Sequence, residues 1–478
     1  MADTPWLGDT CSLVDAFRSG ERSPVEELDA TLAAIEASDR NAFSFLDPEG
    51  ARERAAAADV SAPFGGVPVG VKELDNVEGW PCTEASLLFA DRVATYTGTM
   101  VSRLVERGGA NLIGLTTASE FGGLNISTTK LNGVTGNAWD ATRTAGGSSS
   151  GSSAAVAAGQ VTIATAGDGG GSIRIPAAFN GLVGMKGTAG RIPRGPHTMI
   201  APLTVVTGCV ARSVRDVARW YDVTTGYDMR DPYSLPRIDG WERDLGTHLD
   251  DLRGKRLAIL PDLCGSAIVR PAVADRVRNA GELLAKDVGM ELVDVSGVTI
   301  PGMGLEWAMG NLAGLAAELG DLWPDRKDDL TTEIAFGVQM AKELYNLDMA
   351  GAAEIKRMQC NEALAAIFDQ ADIVVCATNP DVAFPSFVSV NTRVGDVTVG
   401  LENNLALTGP ANLVGIPSCS VPIGTLPYVD ADGSLSTTEL PVGMQIMGRH
   451  HADQLVLDLA AVIERERPWP LVAPGAPA

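Results

Sequence analysis

The sequence predicts an α/β protein organised around a largely buried sheet, and two observations carry that. Short apolar runs alternate with helical patterns along the first 230 residues, as in chains whose helices cover a sheet. The composition, 45% apolar and 20% charged, is that of a soluble globular protein. With 478 residues the chain exceeds what one ordinary core needs, so length alone suggests two or three domains.

The elements follow in order. Ser23-Pro24-Val25-Glu26 is a capping box with proline at the first helical position, and Leu28, Leu32 and Ile35 follow at helical spacing. An alanine-rich helix covers roughly Glu49 to Asp59. Phe64 to Lys72 reads as a short buried strand after a glycine turn, carrying Lys72 toward the interior. A helix from Met100 to Arg107 precedes a strand from Ala110 to Leu115. A small-residue helix, Ala154 to Gly159, precedes a strand from Val161 to Thr165. From about Ser234 to Phe384 the chain is more helical and carries Met303, Trp307, Met309, Trp323 and Met340, which reads as an elaboration on the substrate side. The core resumes at Pro410 to Pro417, the strand Gly443 to Met447 and a helix from Ala452 to Arg465. The tail from Pro468 to Ala478, rich in proline and alanine, is expected to fray.

A net charge of −23 without a basic cluster argues against nucleic acid or an anionic membrane as a direct partner. Seven cysteines, odd in number and without CxxC spacing, argue against a disulfide framework or zinc site and fit a reducing compartment. No leader-like apolar stretch follows Met1 and no run of about 18 apolar residues occurs, so a cytoplasmic protein is expected.

The chemistry concentrates in two glycine- and serine-rich stretches. Gly146 to Ser153 and Gly167 to Pro176 are separated by one helix and one strand, and Asp168 and four glycines crowd against Ser172. Glycines in such a run let successive N–H groups converge on one point, the requirement for an oxyanion site beside a nucleophile. A serine needs a base. The four histidines, His197, His248, His450 and His451, each read as turn or surface residues. Ser-Lys pairs replace Ser-His in known enzymes, provided the lysine is desolvated enough to be neutral. Lys72, ending the run Val67, Val69, Val71 and followed by Leu74, meets that condition.

Three other motif matches fail on context. Gly147-Ser148-Ser149-Ser150-Gly151 fits a nucleophile elbow, but Ala141 to Ala145 does not read as the apolar strand that must precede it. Ser127 to Lys130 fits S-x-x-K, but Gly133 and Gly136 follow where a helix is required. Gly167, Gly169 and Ser172 miss the last glycine of the dinucleotide fingerprint, and no Walker lysine follows either run.

From Lys72 to about Glu464 the chain resembles the amidase signature family. The resemblance rests on the lysine after Gly-Val-Pro-Val, the Gly-Gly-Ser-Ser run, the Gly-Gly-Ser-Ile-Arg-Ile-Pro block, Asn412 to Pro417, and Pro441 to Gln445. It implies a central mixed β-sheet flanked by helices on both sides. It also implies one catalytic domain over residues 1–470, with a core at about 62–230 and 405–466, a more variable cap-like segment at about 234–384, and a flexible tail at 471–478. Matched position by position, it implies a triad of Lys72, Ser148 and Ser172, with Ser172 the nucleophile and Ser148 the bridge. It further implies an oxyanion hole from the N–H groups of Gly169, Gly170, Gly171 and Ser172, braced by Ser149, Asp168 and Arg174. No metal or cofactor is expected; the partners are a small-molecule amide and water, with a homodimer left open. The expected reaction is hydrolysis of an aryl or apolar carboxamide through an acyl-enzyme, with carbamate (urethanase) and ester hydrolysis alongside. The alternative is the glutaminase component of a glutamyl-tRNA amidotransferase complex. This chain departs from the family pattern at Glu73, Leu115, Thr117, Ser150 and Gly169. Substrate choice is expected to lie with Phe121 to Asn132, Arg191 to Ala201 and the 300–345 segment.

Overall fold

The structure, a computed structural model, describes residues 4–477 except 127, 198–203, 303 and 431–432. Eleven strands form one mixed sheet. They are β1 (Phe43–Leu46), β2 (Pro68–Lys72), β3 (Asn111–Thr116), β4 (Ile163–Asp168), β5 (Val183–Lys186), β6 (Val206–Ala211), β7 (Arg256–Ile259), β8 (Glu291–Val293), β9 (Ile373–Ala377), β10 (Ser418–Val429) and β11 (Leu435–Met447). Their order is β1-β3-β2-β4-β6-β5-β10-β11-β9-β7-β8. The β3-β2-β4 and β9-β7-β8 groups are parallel internally, and the remaining pairs are antiparallel.

Every residue of β2 is buried, as a strand covered on both faces requires. Side chains alternate between two apolar clusters. Leu112 of β3 and Ile163 of β4 join the larger one, whereas the next residues along, Ile113 and Ala164, join the cluster under the helix Ser150–Ala157. That helix is buried along its whole length. Its small side chains let it lie close to the sheet: a Cβ on Gly151 would collide with the backbone N of Thr117 and the backbone O of Ala42.

The capping box forms as expected: Ser23 accepts from the N–H of Glu26, and Glu26 accepts from the N–H of Ser23 at 2.8 Å. Two expectations change. The 234–384 segment is not wholly an elaboration, because β7, β8 and β9 extend the central sheet from within it. The helices Gly304–Leu319 and Thr332–Leu344 and the start of Leu347–Gln370 pack on one another rather than on that sheet. The tail is held rather than frayed through its first half: Trp469 Nε1 donates to Arg212 O at 3.0 Å, and Ala473 N to Ala157 O at 2.7 Å. Proline and alanine composition signalled no regular structure, but not the absence of docking.

The helical pair 304–344 is fastened by its own small core of Leu88, Ala316, Leu319, Leu330, Ile334 and Val338. The buried carboxylate of Glu120 adds a polar anchor, accepting from Thr331 N (2.8 Å), Thr331 Oγ1 (2.6 Å) and Ser86 Oγ (2.6 Å). Among the described residues no helix is long and apolar enough to cross a membrane.

Candidate active site

Lys72 ends β2, and its Nζ donates to Ser148 Oγ at 2.7 Å. The lysine is 2% exposed. Burial lowers it from its ordinary range to about 8, against the opposing pull of Asp75, Asp168 and Glu84. Ser148 follows a cis Gly147–Ser148 peptide. Gly147 is required there, since a Cβ would lie 2.6 Å from the backbone N of Ile126. Ser149 Oγ bridges the N–H and the carbonyl of Gly167, both at 3.3 Å, tying the serine loop to the end of β4.

Ser172 lies at the turn between β4 and the helix Arg174–Asn180, half-buried, and lines the same cavity as Lys72 and Ser148. Among the described residues its hydroxyl makes no hydrogen bond to Ser148, so of the two links in the expected relay, the one formed here is Lys72–Ser148. Catalytic hydrogen bonds commonly tighten only once substrate is bound.

The four expected oxyanion donors separate. Gly171 N–H donates to Asp168 Oδ1 at 2.7 Å, and Gly171 is absent from the cavity lining. Its φ of +137° and the crowding of Thr408 at its α-carbon make it a shaping residue, one that only glycine fits. Gly169, Gly170 and Ser172 line the cavity, and their N–H groups have no acceptor among the described residues. Thr408 Oγ1 holds Gly170 O at 2.6 Å, which fixes the orientation of that peptide.

Beneath the loop lies a buried polar network. Arg174 Nε meets Asp168 Oδ2 at 3.0 Å, and both side chains are fully buried. The same guanidinium donates to Gln445 Oε1 (2.9 Å), Asn412 Oδ1 (2.7 Å) and Thr408 O (3.0 Å). Burial alone would raise Asp168, but Arg174 and Asn412 overcome it and hold the carboxyl at about 2. Asp168→Asn is expected to destabilise the fold by about 3–5 kcal/mol, because Arg174 is left buried without its counter-charge. Asp168 is depressed below its ordinary value of 3.8, so its contribution is present above about pH 4 and is lost as pH falls toward 2. Denaturant melts of both proteins at pH 7 and pH 3 check this: the gap between them should narrow at the lower pH.

The cavity has a volume of about 930 Å³. The three segments expected to shape it all reach it, through Phe121 to Asn125, Pro193 to His197, and the helices of the 304–344 pair. Within these, Ser127 and residues 198–201 lie outside the described residues, as does Met303. Met309 and Met340 line the cavity, whereas Trp323 packs against the small core of the helical pair. His197 sits at the mouth, its ring 4.8 Å from that of Tyr96. The other histidines are engaged elsewhere: His248 with Asp458 (3.0 Å), His450 with Val414 O (2.8 Å) and His451 with Arg191 (3.3 Å). Among the described residues no group of three or more His, Cys, Asp or Glu side chains is placed to hold a metal.

Sequence reasoning missed the Asp75, Asn76 and Tyr96 wall and the Leu401 to Leu405 segment, all on the cavity. Asn76 Nδ2 donates to Tyr96 Oη at 2.7 Å. The only sequence signal for that wall was proximity to Lys72. Leu401 to Leu405 had none.

Comparison with known proteins shows the family. The family model described as Amidase matches residues 26–457. The A component of the glutamyl-tRNA(Gln) amidotransferase of Lacticaseibacillus paracasei is 30% identical, covering 97% of this chain and 98% of its own. The corresponding component from Akkermansia muciniphila is 32% identical, covering 93% and 96%. Among solved structures, a bacterial aryl acylamidase of the amidase signature family superposes with a TM-score of 0.85 at 25% identity, over 97% of each chain. A 6-aminohexanoate cyclic dimer hydrolase, complexed with substrate, gives 0.84 at 26% identity, over 99% of each. A mixed sheet flanked by helices, together with the family match over most of the chain, places it in an amide-cleaving enzyme class. The chain belongs to the amidase signature family and is a hydrolase acting on amides.

Proposed function

We propose that this enzyme hydrolyses the carbon–nitrogen bond of a carboxamide bearing an apolar or aryl group, through an acyl-enzyme on Ser172. The observation that carries the reading is the apolar part of the cavity lining, Leu305, Met309, Leu312, Ile334, Phe336 and Met340, in the same cavity as Lys72, Ser148 and Ser172. Side chains of this kind recognise hydrocarbon surface, worth about 25 cal/mol per Å² removed from water.

Neutral Lys72 takes the proton of Ser148 as Ser148 takes that of Ser172. Ser172 Oγ attacks the carbonyl carbon, and the negative charge on its oxygen falls to the N–H groups of Gly169, Gly170 and Ser172. Each such donor is worth about 10²–10³ in rate in comparable sites. The proton returns from Lys72 through Ser148 to the leaving nitrogen, and the C–N bond breaks. Water then attacks the ester by the same relay, releasing the acid and restoring Ser172. Carbamates and esters pass through the same tetrahedral intermediate and are expected as further substrates.

The similarity to the A components of amidotransferases supports a second reading, a glutaminase working with a partner. The charged lining residues Arg194, Glu333 and Glu402 are the kind of groups a glutamine zwitterion requires. The purified chain assayed alone on anilides, primary amides, carbamates, esters and glutamine separates the two. The first reading expects kcat/KM for an aromatic anilide to exceed that for glutamine by at least about 10²-fold, a few kcal/mol of apolar contact. Glutamine turnover only, and only with a partner present, would overturn it.

A further inference from the structure

Three carboxylates act on Lys72 electrostatically: Asp168 at the end of β4, Glu84 in the loop after β2, and Asp75 in the turn directly after the strand. Two of them already have an arginine. Asp168 is paired with Arg174 at 3.0 Å, and Glu84 with Arg92 at 3.3 Å. Asp75 has none. Among the described residues its carboxylate receives one hydrogen bond, from the neutral Thr165 Oγ1, at 2.6 Å. It also has the largest electrostatic hold on Lys72 of the three. An anion without its own cation acts in full on a neighbouring ammonium, whereas one neutralised by arginine acts weakly.

The backbone geometry ties the same two residues together. Lys72 N–H donates to Thr165 Oγ1 at 2.7 Å, so Thr165 on β4 passes one hydrogen bond from the lysine's backbone to the Asp75 carboxylate. Asp75 N–H donates back to Lys72 O at 2.7 Å. The loop closes on itself: Lys72 to Thr165 to Asp75 and back to Lys72. Asp75 also lines the cavity beside Lys72 and Ser148.

We propose that Asp75 is a positioning residue for Lys72: it clamps the end of β2 through Thr165 and supplies the anion against which the lysine takes up its proton. The proposal rests on Lys72 being the base. Without the carboxylate, burial acts on Lys72 with less opposition, and the lysine loses its proton at a lower pH. With it, the ammonium formed in the acylation step is stabilised beside Ser148, and Nζ is a stronger base.

The test is the pH dependence of kcat/KM on one anilide, for the wild-type enzyme, Lys72→Ala, Asp75→Asn and Thr165→Val. Thermal melts of all four establish folding. Asparagine keeps an oxygen for Thr165 and removes only the charge. Asp75→Asn is expected to move the rising limb about one unit toward acid, the lower end of what one nearby opposite charge does. Thr165→Val keeps the charge and cuts the link to the Lys72 backbone. It is expected to lower kcat about tenfold, roughly 1.4 kcal/mol, with the limb in place. Should Asp75→Asn fail to fold, Thr165→Val decides, and unchanged kcat in that variant overturns the proposal. If Lys72→Ala erases the limb but Asp75→Asn leaves it unmoved, the proposal falls and the lysine base stands. An effect of Asp75→Asn confined to KM of the anilide, with kcat and the limb unchanged, has the same consequence and makes Asp75 a substrate contact. If Lys72→Ala keeps both limb and rate, the base assignment falls and this proposal with it.

Discussion

Ser172→Ala is expected to lower kcat by at least about 10⁴-fold, the scale seen when a serine nucleophile is removed from a preorganised acyl-transfer site. The fold should be nearly unaffected. Ser172 is half-buried at the edge of an open cavity, and among the described residues its hydroxyl holds no side-chain partner, so alanine leaves no buried group unsatisfied. The loop's shape is set elsewhere, by the Asp168–Arg174 pair, the Thr408 contact with Gly170 O, and the φ of Gly171. Thermal melting and a steady-state assay on an anilide measure both halves. A sulfonyl fluoride or fluorophosphonate, followed by peptide mass mapping, locates the nucleophile directly. Label on Ser148 or Ser149 with Ser172 untouched would sink the assignment.

Lys72→Ala comes next in size, with an expected loss of at least about 10²–10⁴-fold, the usual contribution of a general base. Its signature is in the pH profile. A lysine accepts a proton only when neutral, and the neutral fraction rises through its pKa, so wild-type kcat/KM should climb with pH and level off near pH 8. Lys72→Ala should remove that limb. Lys72→Arg should not restore activity, because guanidinium stays protonated. Near-wild-type kcat with an unchanged profile in either variant would return the search for a base to His197. The stability consequence runs in the same direction as that of Asp168, in a different window. Burial depresses Lys72 from 10.5 to about 8, so the cost of burying it grows as pH falls from 10.5 and is fully present below about 8.

The sheet, the glycine turns and the helix starts were legible in local sequence, because each follows from nearest-neighbour chemistry. Ser23 and Glu26 cap a helix wherever they stand three apart before an apolar run. The run ending at Lys72 is apolar at alternate and intervening positions, and β2 is buried on both faces accordingly. What escaped was strand membership within the 234–384 segment. β7, β8 and β9 are only three to five residues long, and a short apolar run between helices carries the same pattern as a buried helix edge. The docking of the tail escaped for a related reason. The hydrogen bond from Ala473 to Ala157 spans more than 300 residues and leaves no trace in local composition.

The sequence by itself determined the chemistry available: a lysine delivered to the interior by an apolar strand, serines in glycine-rich loops, and four histidines that each read as turn or surface residues. Residue type and spacing suffice for that, because reactivity belongs to side chains and glycine's freedom belongs to the backbone. Only the tertiary structure decided how those groups are used. It turned the Gly171 N–H away from the cavity and onto Asp168, and left Gly169, Gly170 and Ser172 facing it. It set Lys72 2.7 Å from Ser148, 76 positions away along the chain. It gave Asp168 and Glu84 their arginines and left Asp75 with a threonine. Electrostatic influence depends on distance and on how each charge is already neutralised. Both are properties of the packed chain, and neither is written in the order of its residues.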